Sequence, residues 1–334
     1  DKEASQLFRG IFMKRAFSFL PFILFFCLLL FFPRQSLLGA KTGLMLWFFT
    51  LLPSMLPFLI LSSLFVHLEV LEKLFGRGAS FWRRAFELSP QGTYALFMGI
   101  FCGYPMGAKV TADLYRGQRI TRQEADYLLT FSCHPGPSFL SAYLCVEILG
   151  REDVTGWTYL VIYLSSFLCS LMFRPSRRRQ SVPETPAVSA PFRENLKKET
   201  SASLSLGEAL DASILNAFLS ITKLGGYMIL FSVLQSFLKT WLPAVPCIRY
   251  PVLGLMEITT GLSALSQSRL PFSLLYILTV SFTSFGGLCV AAQTKSMLAD
   301  TDLSLIPYLK GKLCCLTITL ALTFFLVEVV KVIV

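Results

Sequence analysis

Apolar and polar positions along this chain fall into long blocks rather than short periodic stripes. Apolar runs occupy Ala16 to Phe32, Thr42 to Leu68, Tyr94 to Val110, Leu128 to Gly150, Trp157 to Phe173, Ala217 to Leu242, Pro251 to Leu265, Pro271 to Gln293 and Leu313 to Val334. A helix needs about 20 mostly apolar residues to cross the hydrocarbon layer of a bilayer. The pattern therefore predicts an all-α polytopic membrane protein. Between the runs, residues 69–92 interleave Glu69, Glu72, Lys73, Arg77, Arg83, Arg84 and Glu87 with Leu, Phe and Trp82, which predicts an amphipathic helix at the membrane surface.

Several runs carry their own interruptions. Pro53 and Pro57 interrupt the second run, and each removes a backbone hydrogen bond. Tyr94 to Val110 is short and glycine-rich, and is expected to be re-entrant or broken. Thr121 with Glu124 has the spacing of a capping box, so a helix starts there and continues into a run broken by Pro135-Gly136-Pro137. Residues 174–205 combine Arg174, Arg177, Arg178, Arg179, Arg193, Lys197 and Lys198 with four prolines, as a flexible cytoplasm-facing linker would. The organisation expected is a tail and first helix over 1–40, a membrane repeat over 41–173, the linker over 174–205 and a second repeat over 206–334. The first run reads as a retained helix rather than a cleaved signal, with Met13 as the native start and residues 1–12 an extension.

Composition agrees with a lipid solvent. Of 334 residues, 54% are hydrophobic and 15% charged, with a mean hydropathy of +0.62; a soluble domain carries roughly 25% charged residues. The net charge of +10 comes from basic residues spread through short loops, where they set topology and meet lipid phosphates. No nucleic-acid partner is expected, because a basic patch is missing. Nine cysteines form no C-x-x-C, and His67 and His134 are far apart in sequence, so no metal site is expected. The chain has no Ser/His/Asp set, H-E-x-x-H or P-loop, which points away from an enzyme and from direct use of ATP. No cofactor is expected; a coupling ion would be H⁺ or Na⁺. The partners expected are the bilayer and a small anionic solute, with a homo-oligomer open.

The basic loops orient the two halves so that they enter the membrane from opposite sides. FCGYPMGAKV (Phe101 to Val110) set above FTSFGGLCVA (Phe282 to Ala291) pairs two glycine-broken segments. Opposite entry with repeated breaks is the signature of inverted-repeat transporters, whose unwound backbone lines a solute cavity. Half-helix N-termini there favour an anionic or strongly polar solute. The candidate substrate-binding residues are Gly103, Tyr104, Pro105, Gly107 and Lys109 in the first half. In the second half they are Glu257, Thr259, Thr260, Ser284, Phe285, Gly286, Gly287 and Gln293. Lys109, Lys223 and Glu257 are charges within apolar runs, costing ~3 kcal/mol or more at the bilayer centre, so each should face protein or water.

GIFCGYPMGAKVTADLYRGQRITRQEADYLLTFSCHPGPSFL, with LLPSMLPFLI before it and SFGGLCVAAQ late in the chain, resembles the YlbJ-type sporulation integral membrane proteins. That family carries the nucleoside-recognition, or Gate, domain. The resemblance covers nearly the whole chain from Met13, and the GYP-x-GAK core followed by D-L-Y is its most specific part. It implies a fold related to concentrative nucleoside transporters, with inverted repeats and re-entrant hairpins. It also implies movement of dipicolinate, a pyridine dicarboxylate, across the outer forespore membrane. Glu257 opposes an anion unless it is protonated, binds a coupling cation or pairs with a lysine. A neutral nucleoside-like solute is the alternative, and a non-transporting scaffold for the spore envelope is the rival.

Overall fold

The computed structural model describes residues 19–20, 22–67, 81–175, 205–243 and 245–329. Met13, residues 69–80 of the expected surface helix and nearly all of the expected linker lie outside the described residues; of the remaining half of that surface helix, 81–86 is helical, 87–89 is not, and Pro90 already opens the next helix behind a Ser89 cap. Among the described residues every regular element is helical.

The chain opens with α1 (Phe22–Phe31) and α2 (Pro33–Met45), which meet at a bend of 106°. Pro33 stands at the start of α2, where a missing N–H removes no intrahelical bond. The second run therefore begins as helix at Pro33 and not at Thr42. A π-wound turn, Leu46–Leu51, joins α2 to α3 (Leu52–His67). There the Leu52 N–H reaches back five residues to the Trp47 carbonyl. In an α-helical turn the Pro53 ring would press on the carbonyl four residues earlier, and the wider π turn relieves that clash. The expected interruption at Pro53 and Pro57 is thus an unbroken helix.

The rest of the first half comprises α4 (Pro90–Cys102), α5 (Met106–Arg116), α6 (Arg122–Phe131), the π-wound α7 (Phe139–Ile148) and α8 (Thr155–Met172). The second half comprises α9 (Leu206–Trp241), α10 (Pro246–Met256), α11 (Ile258–Ser266), α12 (Phe272–Phe285), α13 (Gly287–Met297) and α14 (Ile306–Glu328). Among the described residues, four stretches are long and apolar enough to cross a membrane: Glu152–Met172, Leu206–Trp241, Phe272–Met297 and Ile306–Glu328. The bent pair ahead of Leu51 makes a fifth if it counts as one span. Thr121 caps α6 by accepting from the Glu124 N–H at 3.2 Å, but the Glu124 carboxylate accepts instead from the Ser89 N–H at 2.7 Å. The expected reciprocal box is therefore half made, and its other half ties α6 to the start of α4.

After their opening helices, both halves run through two broken elements and a closing helix. The breaks fall at 103–105 and 132–136 in the first half, and at Glu257 and Gly286 in the second. Chain order thus corrects the expected pairing of segments. The Gly103 break is the first of its half and corresponds to Glu257; the Gly286 break is a second break and corresponds to 132–136. FSCHPGP (131–137) then lies over FTSFGGL (282–288), matching Phe131 to Phe282, Gly136 to Gly287 and Cys133 to Ser284.

The halves interlock. α9 packs along α2 and α3 of the first half, and α14 packs against α6 and α8. Gly311 on α14 lies against the Thr130 backbone so closely that the Thr130 carbonyl oxygen occupies the space a Cβ would need. The apolar core is shared accordingly: one cluster joins Leu140 and Tyr143 to Ile221, Leu262 and Tyr276, and another joins Leu128 and Phe131 to Val290 and Tyr308. Buried hydroxyls bridge the same seam, with Tyr143 donating to the Thr259 carbonyl at 2.6 Å and Tyr276 paired with Thr158 at 3.2 Å.

Candidate functional site

Each break leaves backbone groups that no helix satisfies, and inside an apolar medium these need protein or water partners. The four breaks meet one another. A Cβ placed on Gly103 would lie 2.7 Å from the Gly136 nitrogen, so the two first-half breaks touch through backbone. Gly286 lies beside the Tyr104 ring, and Gly287 beside the Leu255 carbonyl just ahead of Glu257. The Gly286 φ of 85° is left-handed, a conformation that glycine adopts without Cβ strain. The Tyr104-Pro105 bond is cis.

Glu257 is the whole of the third break. Its backbone is extended (φ −142°, ψ 120°) between α10 and α11. Its side chain folds forward to cap α11, with Oε1 accepting from the Thr259 N–H at 3.2 Å and Oε2 from the Thr260 N–H at 2.7 Å. Oε2 also accepts from the Thr259 and Thr260 hydroxyls at 2.6 and 2.7 Å. Burial of this carboxylate (2% exposed) is offset by four donors and the positive end of a helix. The sequence marks both threonines as candidates for binding solute; both hydroxyls instead serve Glu257. The N-terminus of α11 is thereby occupied by the chain's own carboxylate.

A small pocket, with a cavity volume of about 30 Å³, opens against this break. Leu51, Met55, Leu224 and Met228 form apolar walls together with Phe139, Ile258 and Val290, and Pro135 and Gly136 supply backbone. Its polar side chains are Tyr104, Glu257, Thr259 and Gln293. All four were among the residues expected from sequence, and they come from three of the four breaks or the helices leaving them: Tyr104 from the first, Glu257 and Thr259 from the third, Gln293 from the fourth. The Tyr104 hydroxyl and the Gln293 Oε1 are buried and have no hydrogen-bond partner within the protein. Buried polar atoms are nearly always paired, so these two keep hydrogen-bonding capacity for a water or another small polar group.

The other expected residues do not line this pocket. Gly103, Pro105, Gly286 and Gly287 shape the breaks. Gly107 packs on the Ser132 backbone, and Thr260 is spent on Glu257. Ser284 accepts from Thr319 at 2.9 Å, and Phe285 ends α12 half-buried. Lys109 sits half-buried on α5, away from the lining, and Lys223 is exposed on α9.

One buried charge escaped the sequence reading. Lys312 on α14 is 4% exposed and donates to the Cys133 and Ser284 carbonyls, the latter at 3.1 Å. Its Nζ lies 5.5 Å from the Tyr104 ring centroid and 5.8 Å from that of Tyr308. Lys312 borders an apolar run, where a lysine reads as an interfacial anchor. Nearby, His134 Nε2 and the Ser166 hydroxyl are 2.9 Å apart. Ser166 spends its one proton on the Phe131 carbonyl, so Nε2 is the donor of that pair.

No protein-family model matches the chain, and no solved structure matches it. Among curated proteins it is similar to the sporulation integral membrane protein YlbJ of Bacillus subtilis (strain 168), with 26% identity over 306 residues, covering 84% of this chain and 75% of that one. A match of that extent takes in both halves. With its long apolar helices, the chain is an integral membrane protein similar to the YlbJ-type sporulation proteins.

Proposed function

We propose that this chain is a carrier, not a catalyst, and that it moves a small planar heteroaromatic solute through the pocket between its breaks. The observation that carries the reading is the pair of unpartnered buried atoms, Tyr104 Oη and Gln293 Oε1, facing a largely apolar hollow built from unwound helices. Unwound backbone in lipid is sustained where it lines such a hollow. The resemblance to the sporulation family makes dipicolinate at the outer forespore membrane the first solute to test. Glu257 favours a second reading, because a buried carboxylate in the lining repels a dicarboxylate and accepts from a neutral nucleoside-like solute.

The test is uptake of labelled dipicolinate and of labelled uridine by vesicles holding the purified chain. The expected result is saturable uptake of one of them, cut at least tenfold by Tyr104→Phe with Gln293→Leu while the protein stays folded. Uptake of neither solute above protein-free vesicles overturns the carrier reading and favours a scaffold in the spore envelope.

A further inference from the structure

We propose that the two carbonyls that meet between the second breaks form a monovalent-cation site, which this chain fills with its own Lys312. Three independent observations converge there. Cys133 and Ser284 occupy matching places in FSCHPGP and FTSFGGL, and their carbonyls both accept from one ammonium. Each follows or closes a half-helix, α6 or α12, so the negative ends of two helix dipoles point at the same spot. The Tyr104 and Tyr308 rings lie within cation–π reach on further sides. Unwound carbonyls and half-helix C-termini are what hold small cations inside membrane carriers.

Among the described residues no carboxylate lies within ion-pair distance of Lys312, although a buried charge ordinarily demands one. The ammonium is thus a tethered cation between the two breaks, and it needs no dissolved ion to hold them together. Lys312 is a positioning residue: it touches the Tyr104 face, not the pocket. This assignment concerns the cage alone and stands whether or not the chain carries solute.

The experiment reads folding rather than uptake. Purified wild type, Lys312→Ala and Lys312→Met are heated in detergent with increasing sodium, potassium or ethylammonium chloride, choline chloride matching ionic strength. Wild type should show no shift specific to any small cation. Lys312→Ala should melt lower and recover in a saturable way with ethylammonium or an alkali cation, and not with ethanol, which has ethylammonium's size without its charge. Lys312→Met fills the volume without the charge, and should stay low in every salt. Should the Ala variant fail to yield folded protein, recovery of its yield by ethylammonium during expression supports the site, and no recovery overturns it. A Met variant as stable as wild type, or an Ala variant that answers to ethanol as well as to ethylammonium, also overturns it.

Discussion

Replacing Glu257 tests whether the third break is held by a side chain. The carboxylate accepts four hydrogen bonds, two from backbone N–H groups and two from hydroxyls. In Glu257→Ala the two hydroxyls can turn to nearby helix carbonyls, but the Thr259 and Thr260 N–H groups are buried with no acceptor. Each such orphan costs about 1–3 kcal/mol, so the expected loss is roughly 2–6 kcal/mol. In Glu257→Gln the amide oxygen can take the place of Oε2 and keep three donors. Only the 3.2 Å bond from the Thr259 N–H and the charge assistance disappear, a loss of about 1–3 kcal/mol. Stability should therefore fall in the order wild type, Gln, Ala. Thermal unfolding in detergent, followed by a thiol-reactive dye, suits this chain because Cys102, Cys133, Cys145, Cys169, Cys289 and Cys315 are buried until it opens. An Ala variant within about 0.5 kcal/mol of wild type, the range of featureless surface changes, refutes the capping argument. Gln as costly as Ala refutes the hydrogen-bond count and leaves charge alone as the cause.

Gly311→Ala should cost more than about 1–3 kcal/mol, the usual range for an added methylene, because its Cβ meets the Thr130 backbone rather than a side chain that can turn; an unchanged melting temperature would show that α14 and α6 can part freely. Burial pushes the Glu124 carboxyl above its ordinary value, against the hydrogen bonds from Ser89. The folded state then binds the proton more tightly than the unfolded chain, so stability falls as pH rises from the ordinary carboxylate range through the raised folded value. Glu124→Gln should flatten that limb of a denaturation-against-pH curve, and an identical slope in the variant would remove Glu124 as its source.

Much of this architecture is legible in the sequence, and for identifiable reasons. Breaks at Gly103-Tyr104-Pro105, Pro135-Gly136-Pro137 and Gly286-Gly287 announce themselves because glycine and proline disfavour helix wherever they stand. Tyr104, Glu257, Thr259 and Gln293 were singled out from their place beside breaks or within an apolar run, and they meet in one pocket. The Glu257 break itself was invisible, since a glutamate that caps the next helix with its own side chain leaves no glycine or proline behind. The correspondence of segments is hidden for the same reason: with no glycine or proline at Glu257, the first break visible in the second half is Gly286, and it stands opposite Gly103. Lys312 was hidden by its address at the edge of an apolar run. Only the fold shows that two carbonyls 151 residues apart in the chain converge upon it.

The π-wound turn ahead of Pro53 also places a chromophore. The Trp47 indole N–H donates to the Ile221 carbonyl at 2.9 Å, and its ring rests on Gly225, adjoining Leu224 and one turn from Met228 in the pocket wall. A sliding of α9 against α2 would stretch that bond and alter the polarity around the ring. Tryptophan emission, compared between the native chain and Trp47→Phe, thus offers a label-free readout of how α9 sits against the helices of the first half.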